Sequence, residues 1–142
     1  MKIIFSLTLL LFMFYNSRAQ VGKEDFKTIT VSASFYCHGS PSCKVKGSGK
    51  TATGDKVREG VIAVDPKVIP LKSKVEILEP EILKGSYTAL DTGGGRIRGK
   101  FIDVWVSSQK EAVKKGIIKR VVLRVYPKNY KEPRKEENVP EQ

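Results

Sequence analysis

The sequence contains few of the side chains on which metal sites, disulfide scaffolds and nucleophilic triads depend. Its 142 residues include two cysteines, one histidine and one tryptophan. A single histidine gives no support to a Ser-His-Asp site and cannot supply a His-rich metal cluster. The sequence also lacks an internal repeat, and its glycines match neither the spacing of a dinucleotide-binding loop nor that of a Walker loop. These absences argue against the common nucleotide-dependent and metal-dependent enzymes.

Long hydrophobic runs are missing as well. The longest covers residues 3–15, which is 13 residues, whereas a membrane-spanning helix needs roughly 20. Lys2 precedes this run, and the small residues Ser17 and Ala19 follow it. That pattern is typical of a secretory signal peptide cleaved after Ala19; an uncleaved anchor or a buried helix is the alternative. We therefore predict a signal peptide at residues 1–19 and an exported protein, located in a periplasm or outside the cell.

Acidic residues are outnumbered. There are 15 Asp and Glu against 26 Lys and Arg, which gives a formal net charge of +11. Such a charge favours an anionic partner or surface. Because the basic residues are spread along the chain without a recognition motif, and because export separates the protein from nucleic acid, we expect no nucleic-acid partner. Anionic polymers of a cell envelope fit the charge.

The two cysteines, Cys37 and Cys43, are six residues apart. An even number of cysteines in an exported chain favours a disulfide. The alternative is a metal site formed by Cys37, His38 and Cys43, but it lacks a fourth ligand nearby and does not match the spacing of structural zinc sites. We predict the disulfide and no metal.

Alternating apolar residues predict a mainly β domain at residues 28–127. It follows a short lead at 20–27 and precedes a charged tail at 128–142, which has no periodicity and is predicted to be disordered. One short helix is expected, with Ser108 and Glu111 forming a capping box, Ala112 and Val113 facing inward, and Gly116 ending it. Six strands with glycine-rich connections predict a small barrel; the segments are 28–36, 61–65, 74–78, 86–90, 101–106 and 119–126.

Three aspartates end or interrupt predicted strands, namely Asp65, Asp91 and Asp103. Asp103 shares its strand face with Phe101 and Trp105, and such apolar neighbours raise the pKa of a carboxyl toward the range needed for general acid catalysis. The alternative is a structural aspartate satisfied by backbone N–H groups or by a basic side chain. The Asp-Thr-Gly that begins at Asp91 also suggests an aspartic protease, which would need a second such aspartate, for example from a homodimer.

Taken together, these segments resemble a known family. The motifs Ile-Ala-Val-Asp-Pro at 62–66, Ala-Leu-Asp-Thr-Gly-Gly at 89–94 and Ile-Asp-Val-Trp at 102–105 are similar to the three-aspartate (3D) domain. That domain is shared by membrane-bound lytic transglycosylase A and by stationary-phase or resuscitation-type wall proteins. One departure is that Gly95-Arg96 stands where the usual pattern has one residue.

The resemblance implies a six-stranded double-psi β-barrel that acts on the glycan strands of peptidoglycan without a cofactor. It implies that Asp103 is the catalytic acid and that Asp91 and Asp65 line or shape the same cleft. The cleavage is expected to be non-hydrolytic and to leave a 1,6-anhydro-MurNAc end; the alternative is an expansin-like barrel that binds polysaccharide without cutting it. The expected substrate-binding residues are Tyr36, Thr53, Gly54, Thr92, Gly93, Gly94, Arg98 and Trp105.

Overall fold

The computed structural model describes residues 25–44 and 47–132. The predicted signal peptide and most of the charged tail therefore lie outside the described residues. Within the described part, six strands, one α-helix (α1) and two 3-10 turns follow one another along the chain. Their bounds are β1 Lys27–Tyr36, β2 Val61–Val64, β3 Lys74–Glu79, the turn Glu81–Leu83, β4 Gly85–Asp91, the turn Gly93–Gly95, β5 Phe101–Trp105, α1 Gln109–Lys115 and β6 Ile118–Val125.

The strands form a closed barrel in the order β1-β5-β2-β4-β3-β6. Two neighbouring pairs, β1 with β5 and β2 with β4, run parallel, whereas the other pairs run antiparallel. Strand β5 lies between the consecutive strands β1 and β2, and β2 lies between the consecutive strands β4 and β5. These are two interlocked psi arrangements, so the predicted mainly β, six-stranded double-psi barrel with one short helix is confirmed.

Alternation of side chains places the core inside the barrel. Ile29, Val31 and Ala33 of β1 are buried there, as are Ile102 and Val104 of β5. Strand β2 differs because all four of its residues are buried. Ile62 and Val64 belong to the main core, whereas Val61 and Ala63, which alternate with them, are buried outside this core on the outward face. The outward face of β2 is the face that carries the candidate site.

Helix α1 and the disulfide pack together on the outside of the barrel. The Ser108 hydroxyl accepts a hydrogen bond from the backbone N–H of Glu111 at 3.2 Å, as expected for a cap. Ala112 is buried against the two cysteines and Val106. Val113 is 71% exposed, so its predicted inward orientation is wrong. Successive helical positions point about 100° apart, and only one of two adjacent residues can face the barrel squarely.

The segment between β1 and β2 is mostly loop, as predicted. The Cys37–Cys43 disulfide is present, with its Cα atoms 5.6 Å apart, and closes the turn directly after β1. Further on, Lys50 and Lys56 form an isolated bridge. At the other end, Tyr130, which belongs to the predicted disordered tail, lies against the Tyr126 ring with the centroids 4.3 Å apart. None of the helices among the described residues is long and apolar enough to cross a membrane.

Candidate active site

Four strands place a row of small and acidic residues side by side on the outer face of the barrel. Ser34 pairs with Asp103 across β1 and β5, Asp103 pairs with Ala63 across β5 and β2, and Ala63 pairs with Asp91 across β2 and β4. Directly opposed residues in neighbouring strands point to the same face. The row therefore brings Asp103 and Asp91 to either side of the small Ala63 side chain.

A register shift in β4 completes this row. Ile62 pairs with Ala89, but the next residue, Ala63, pairs with Asp91 rather than with Leu90. Such a bulge inserts one residue into a strand and redirects the side chains that follow. Without the shift, Leu90 would oppose Ala63, and Asp91 would point away from Asp103. The bulge is thus the local feature that brings the two carboxyls onto one face.

Asp103 is a half-buried carboxyl with a single protein donor among the described residues. Its Oδ1 accepts a hydrogen bond from the Ser34 hydroxyl at 2.8 Å. Burial raises the pKa of Asp103, and Asp91 acts in the same direction, whereas the Ser34 hydrogen bond and the Arg96 guanidinium oppose the rise. The net direction is upward, as the sequence predicts. A carboxyl in this state can hold a proton closer to neutral pH than an ordinary aspartate.

Asp91 is held by more donors. Its Oδ1 accepts from the backbone N–H of Thr92 at 2.8 Å and of Ala52 at 3.2 Å, and its Oδ2 accepts from the Tyr36 hydroxyl at 3.1 Å. The Nε2 atom of His38 lies 3.8 Å from the same Oδ2. Asp91 therefore ties the end of β1, the loop around Ala52 and the end of β4 together.

Tyr36 lies near both carboxyls and donates its hydroxyl hydrogen to that of Asp91. Burial raises its pKa, and the neighbouring Asp91 and Asp103 raise it further, because a negative phenolate beside two carboxyls is disfavoured. The hydroxyl consequently remains a hydrogen-bond donor. The Tyr36 ring also lies beside the His38 ring, with the centroids 5.5 Å apart. The structure thus places the predicted residue Tyr36 next to both aspartates.

The third aspartate, Asp65, has a different set of contacts. Its Oδ1 accepts from the Lys67 backbone N–H at 3.0 Å, and its Oδ2 accepts from the Gly99 backbone N–H at 2.8 Å. These two hydrogen bonds lower the pKa of Asp65. The side chain fixes the turn after β2 to the loop before β5. The contacts described for Asp65 do not reach Asp91 or Asp103.

The predicted threonine loop supports Asp91 through its backbone. The hydroxyl of Thr53 contacts Asp55 at 2.6 Å and the Leu90 carbonyl at 3.2 Å, and its N–H also donates to Leu90. These bonds hold the loop against the end of β4, where the Ala52 N–H reaches Asp91. Gly54 forms the exposed tip of the turn, with a positive φ of 87°.

The glycine loop after Asp91 is held by its own residues. Thr92 directs its N–H at Asp91, and Gly93 packs so closely on Ile97 that an added Cβ would collide with the Ile97 side chain. Arg98, predicted to bind substrate, donates from Nε to the Gly95 carbonyl at 2.8 Å. Gly94 has open space around its Cα. Of the loop's predicted residues, Gly94 and Arg98 are exposed, whereas Thr92 and Gly93 are half-buried.

A cleft of about 610 Å³ opens beside Asp103. Tyr36, His38, Ser48 and Arg96 are among the side chains that line it. Trp105 instead lines a smaller cavity of about 170 Å³, and its Nε1 donates to the His38 carbonyl at 3.1 Å. Of the predicted site residues, Asp103 and Tyr36 thus line the larger cleft, while Trp105 supports the His38 backbone.

Four contributors to the site were missed by sequence reasoning, namely Ser34, His38, Ala52 and Arg96. Ala52 acts through its backbone, so its side chain carries no signal. Ser34 is one of several serines in an alternating strand. His38 had a signal, its place between the cysteines, but was weighed only as a metal ligand. No group of three or more His, Cys, Asp or Glu that could hold a metal ion occurs within residues 25–44 and 47–132.

Comparison with known proteins identifies the domain. Residues 60–126 match the family model described as the 3D domain. They belong to the 3D domain family. Two proteins of Bacillus subtilis (strain 168) are similar to this chain. The cell wall-binding protein YocH is 41% identical over 99 residues, which are 67% of this chain and 31% of YocH.

The second relative is the putative cell wall shaping protein YabE, which is 39% identical over 94 residues. These residues are 63% of this chain and 21% of YabE. The chain therefore spans less than a third of the length of either relative. All three aspartates of the motifs lie within the 3D domain match. Ser34 and Tyr36 of β1 and His38 of the disulfide loop precede the matched residues.

Proposed function

We propose that this protein is a peptidoglycan lytic transglycosylase in which Asp103 acts first as general acid and then as general base. The observation that carries the proposal is the state of Asp103. It is a half-buried carboxyl with a raised pKa, it has a single protein donor among the described residues, and it lines an open cleft. A general acid needs a proton near neutral pH and access to the leaving oxygen.

The proposed reaction requires only one carboxyl. Asp103 donates its proton to the oxygen that joins MurNAc C1 to GlcNAc, and the C1–O bond breaks to leave a GlcNAc hydroxyl. The C6 hydroxyl oxygen of the same MurNAc bonds to C1, and its proton passes to the Asp103 carboxylate. The acid is regenerated, no water is consumed, and the product is a 1,6-anhydro-MurNAc end. Because the nucleophile belongs to the substrate, its effective concentration is high.

The other aspartates have supporting parts in this proposal. Asp91 holds Tyr36 and the Ala52 loop in place and favours the protonated form of Asp103 through its charge. Asp65 shapes the loop that leads into β5 through its bond to Gly99. Both act on the cleft without touching the reacting atoms, so we describe them as positioning residues.

Direct contact with the glycan is assigned to two of the predicted binding residues. Tyr36 lines the cleft, and Gly94 is exposed at the surface of the glycine loop. We propose that both contact the glycan directly. For the remaining predicted binding residues, the contacts described above support a role in holding the walls of the cleft. These residues are Thr53, Gly54, Thr92, Gly93, Arg98 and Trp105.

The names of the two relatives support a place in the cell wall. One is a cell wall-binding protein and the other a putative cell wall shaping protein. We propose that this chain likewise acts on the wall, which agrees with the exported location predicted from its N-terminal sequence. Removal of the predicted signal peptide takes away Lys2 and Arg18 and leaves 24 basic against 15 acidic residues, a net charge of +9 that would favour anionic wall polymers as additional, salt-sensitive partners.

A second candidate function is binding without cleavage. The name of YocH refers to binding, and the cleft is an open groove in which a glycan could lie without being cut. In that case Asp103 would be a hydrogen-bonding group for the glycan. The two functions differ in whether new anhydro ends form, which is a direct chemical readout.

The test is a digest of purified sacculi with the protein, its Asp103→Asn variant and Glu79→Gln as a matched control. Glu79 is an exposed carboxyl paired with Arg120 at 2.8 Å on another part of the barrel. Mass spectrometry should find 1,6-anhydro-MurNAc ends with the unsubstituted protein and with Glu79→Gln, and none above background with a folded Asp103→Asn. Retention on sacculi without new ends would favour the binding function, and full activity of Asp103→Asn would refute the role of Asp103.

A further inference from the structure

Two arginines of the glycine loop have different surroundings. The Arg98 side chain makes a hydrogen bond within the loop, from its Nε to the Gly95 carbonyl at 2.8 Å. Arg96 lines the cleft beside Asp103 and makes no ion pair or side-chain hydrogen bond within residues 25–44 and 47–132. The two arginines of β6 are paired with acidic side chains, Arg120 with Glu79 and Arg124 with Glu76. Arg96 is therefore a cation at the cleft whose guanidinium N–H groups have no protein acceptor among the described residues, although its charge acts on the nearby Asp103.

The backbone around Arg96 is fixed. Its N–H donates to the Gly93 carbonyl at 3.2 Å, and the next residue, Ile97, is buried and packs on Gly93. The Arg98 bond to Gly95 closes the loop on the other side. A guanidinium that projects from an anchored turn loses less conformational freedom on binding than one on a mobile segment. The loop thus fixes the backbone of Arg96 at the edge of the cleft.

We infer that Arg96 binds a carboxylate of the peptidoglycan strand and so selects carboxylate-bearing glycan over neutral glycan of the same backbone. The inference rests on the proposed function, because it takes the glycan strand as the ligand of this cleft. A guanidinium presents parallel N–H donors that match the two oxygens of a carboxylate. Peptidoglycan offers this group in two places, the lactyl ether of a MurNAc without peptide and the ends of the stem peptide.

The position of Arg96 also links binding to the reaction. In the free protein the Arg96 charge lowers the pKa of Asp103, which works against the proposed acid. A carboxylate bound to Arg96 would offset that charge. The correct ligand would therefore bring Asp103 closer to its protonated form at the moment when the glycosidic oxygen is in place. This gives a physical reason for a cation beside a general acid.

The test measures equilibrium binding in an Asp103→Asn background, so that the ligands are not cut. The probes are a peptide-free GlcNAc-MurNAc tetrasaccharide with free lactyl carboxylates and the same tetrasaccharide with these carboxylates converted to amides. We expect Arg96→Gln to weaken binding of the carboxylate form by about two-fold to five-fold, the range of an exposed ion pair. Binding of the amide form should be unchanged. The affinity of Arg96→Lys for the carboxylate form should lie between those of the Arg96 and Arg96→Gln proteins, because lysine keeps the positive charge but lacks the two parallel N–H donors of the guanidinium.

The control is Arg120→Gln, which removes one positive charge on β6, away from the cleft, and should leave both affinities unchanged. A peptide-bearing tetrasaccharide separates the two carboxylate sources, since an Arg96 effect confined to it would assign the stem peptide. Equal weakening for all probes, or none for any, would overturn the inference. Failure of the proposed function is distinguishable, because a chain that makes no anhydro ends can still bind the carboxylate form through Arg96.

Discussion

The loop that follows Asp91 offers a matched pair of substitutions that tests how the site is built. Gly93 and Gly94 have nearly the same backbone conformation, with φ of 60° and 61°. Their surroundings differ, because a Cβ on Gly93 would collide with the buried Ile97 side chain, whereas a Cβ on Gly94 would meet no atom within 4 Å. Alanine at either position would be strained, because both positions have a left-handed backbone conformation. At Gly93 the alanine Cβ would also clash with the Ile97 side chain.

The magnitudes follow from these two contributions. Alanine in the left-handed region costs about 1 kcal/mol of unfolding free energy, which is the whole effect expected for Gly94→Ala. Overpacking against a buried side chain adds about 1–3 kcal/mol, so Gly93→Ala should lose about 2–4 kcal/mol in total. The loop carries Thr92 and Arg96, and a displaced Ile97 would move both. Gly93→Ala should therefore also lower activity, through the position of the loop.

Urea unfolding followed by tryptophan fluorescence measures both variants, because Trp105 is the single tryptophan of the chain. Sacculus binding, measured well below the unfolding transition, reports the separate contribution of Gly94 to glycan contact. If Gly94→Ala loses no more than about 1 kcal/mol of stability yet binds sacculi poorly, the glycan approaches the loop at Gly94. Equal losses of stability for the two variants would refute the reasoning, since they would show that contact with Ile97 does not constrain the loop.

Two further predictions concern hydrogen bonds to the aspartates. Tyr36→Phe removes the hydroxyl that donates to Asp91 and should lower the unfolding free energy by about 1–2 kcal/mol and reduce anhydro-end formation. The matched Tyr87→Phe, which removes a 2.8 Å bond to the Leu83 carbonyl, should lower stability without changing activity per folded molecule, and equal activity losses would contradict this. Asp65→Asn should destabilise the protein at neutral pH, because the lowered pKa of Asp65 contributes stability above its unfolded pKa. That difference in urea unfolding free energy should shrink as the pH falls below about 4, and a difference that is independent of pH would contradict the assignment.

The barrel itself was largely predictable because its strands alternate. Ile29, Val31 and Ala33 mark one buried face of β1, and Ile102 and Val104 mark that of β5, so the period of two was visible without knowledge of partners. Strand pairing was not visible in this pattern. The parallel contact of β1 with β5 joins residues about 70 positions apart, such as Ser34 and Asp103, and came only with the resemblance to a family.

The site was harder to predict for two local reasons. A bulge depends on the register of two strands, which the sequence of one strand does not reveal. The identity of Leu90, the inserted residue, therefore did not indicate that Asp91 would pair with Ala63. The direction of a side chain on an irregular turn depends on backbone angles that the sequence does not state. Sequence reasoning selected Arg98 for the substrate; in the structure its Nε bonds to the Gly95 carbonyl, and Arg96, which was not selected, lines the cleft.

The two carboxyls that flank Ala63 differ in the number of donors that they already hold. Asp91 accepts hydrogen bonds from Tyr36, Ala52 and Thr92, so its oxygens are largely committed to the protein. Asp103 accepts one, from Ser34, and lies in the cleft. A carboxyl that must give a proton to a sugar oxygen and then take one back needs a free oxygen in both steps. Of the pair, Asp103 meets that requirement, and Asp91 is better suited to keep the surrounding loops in place while the proton moves.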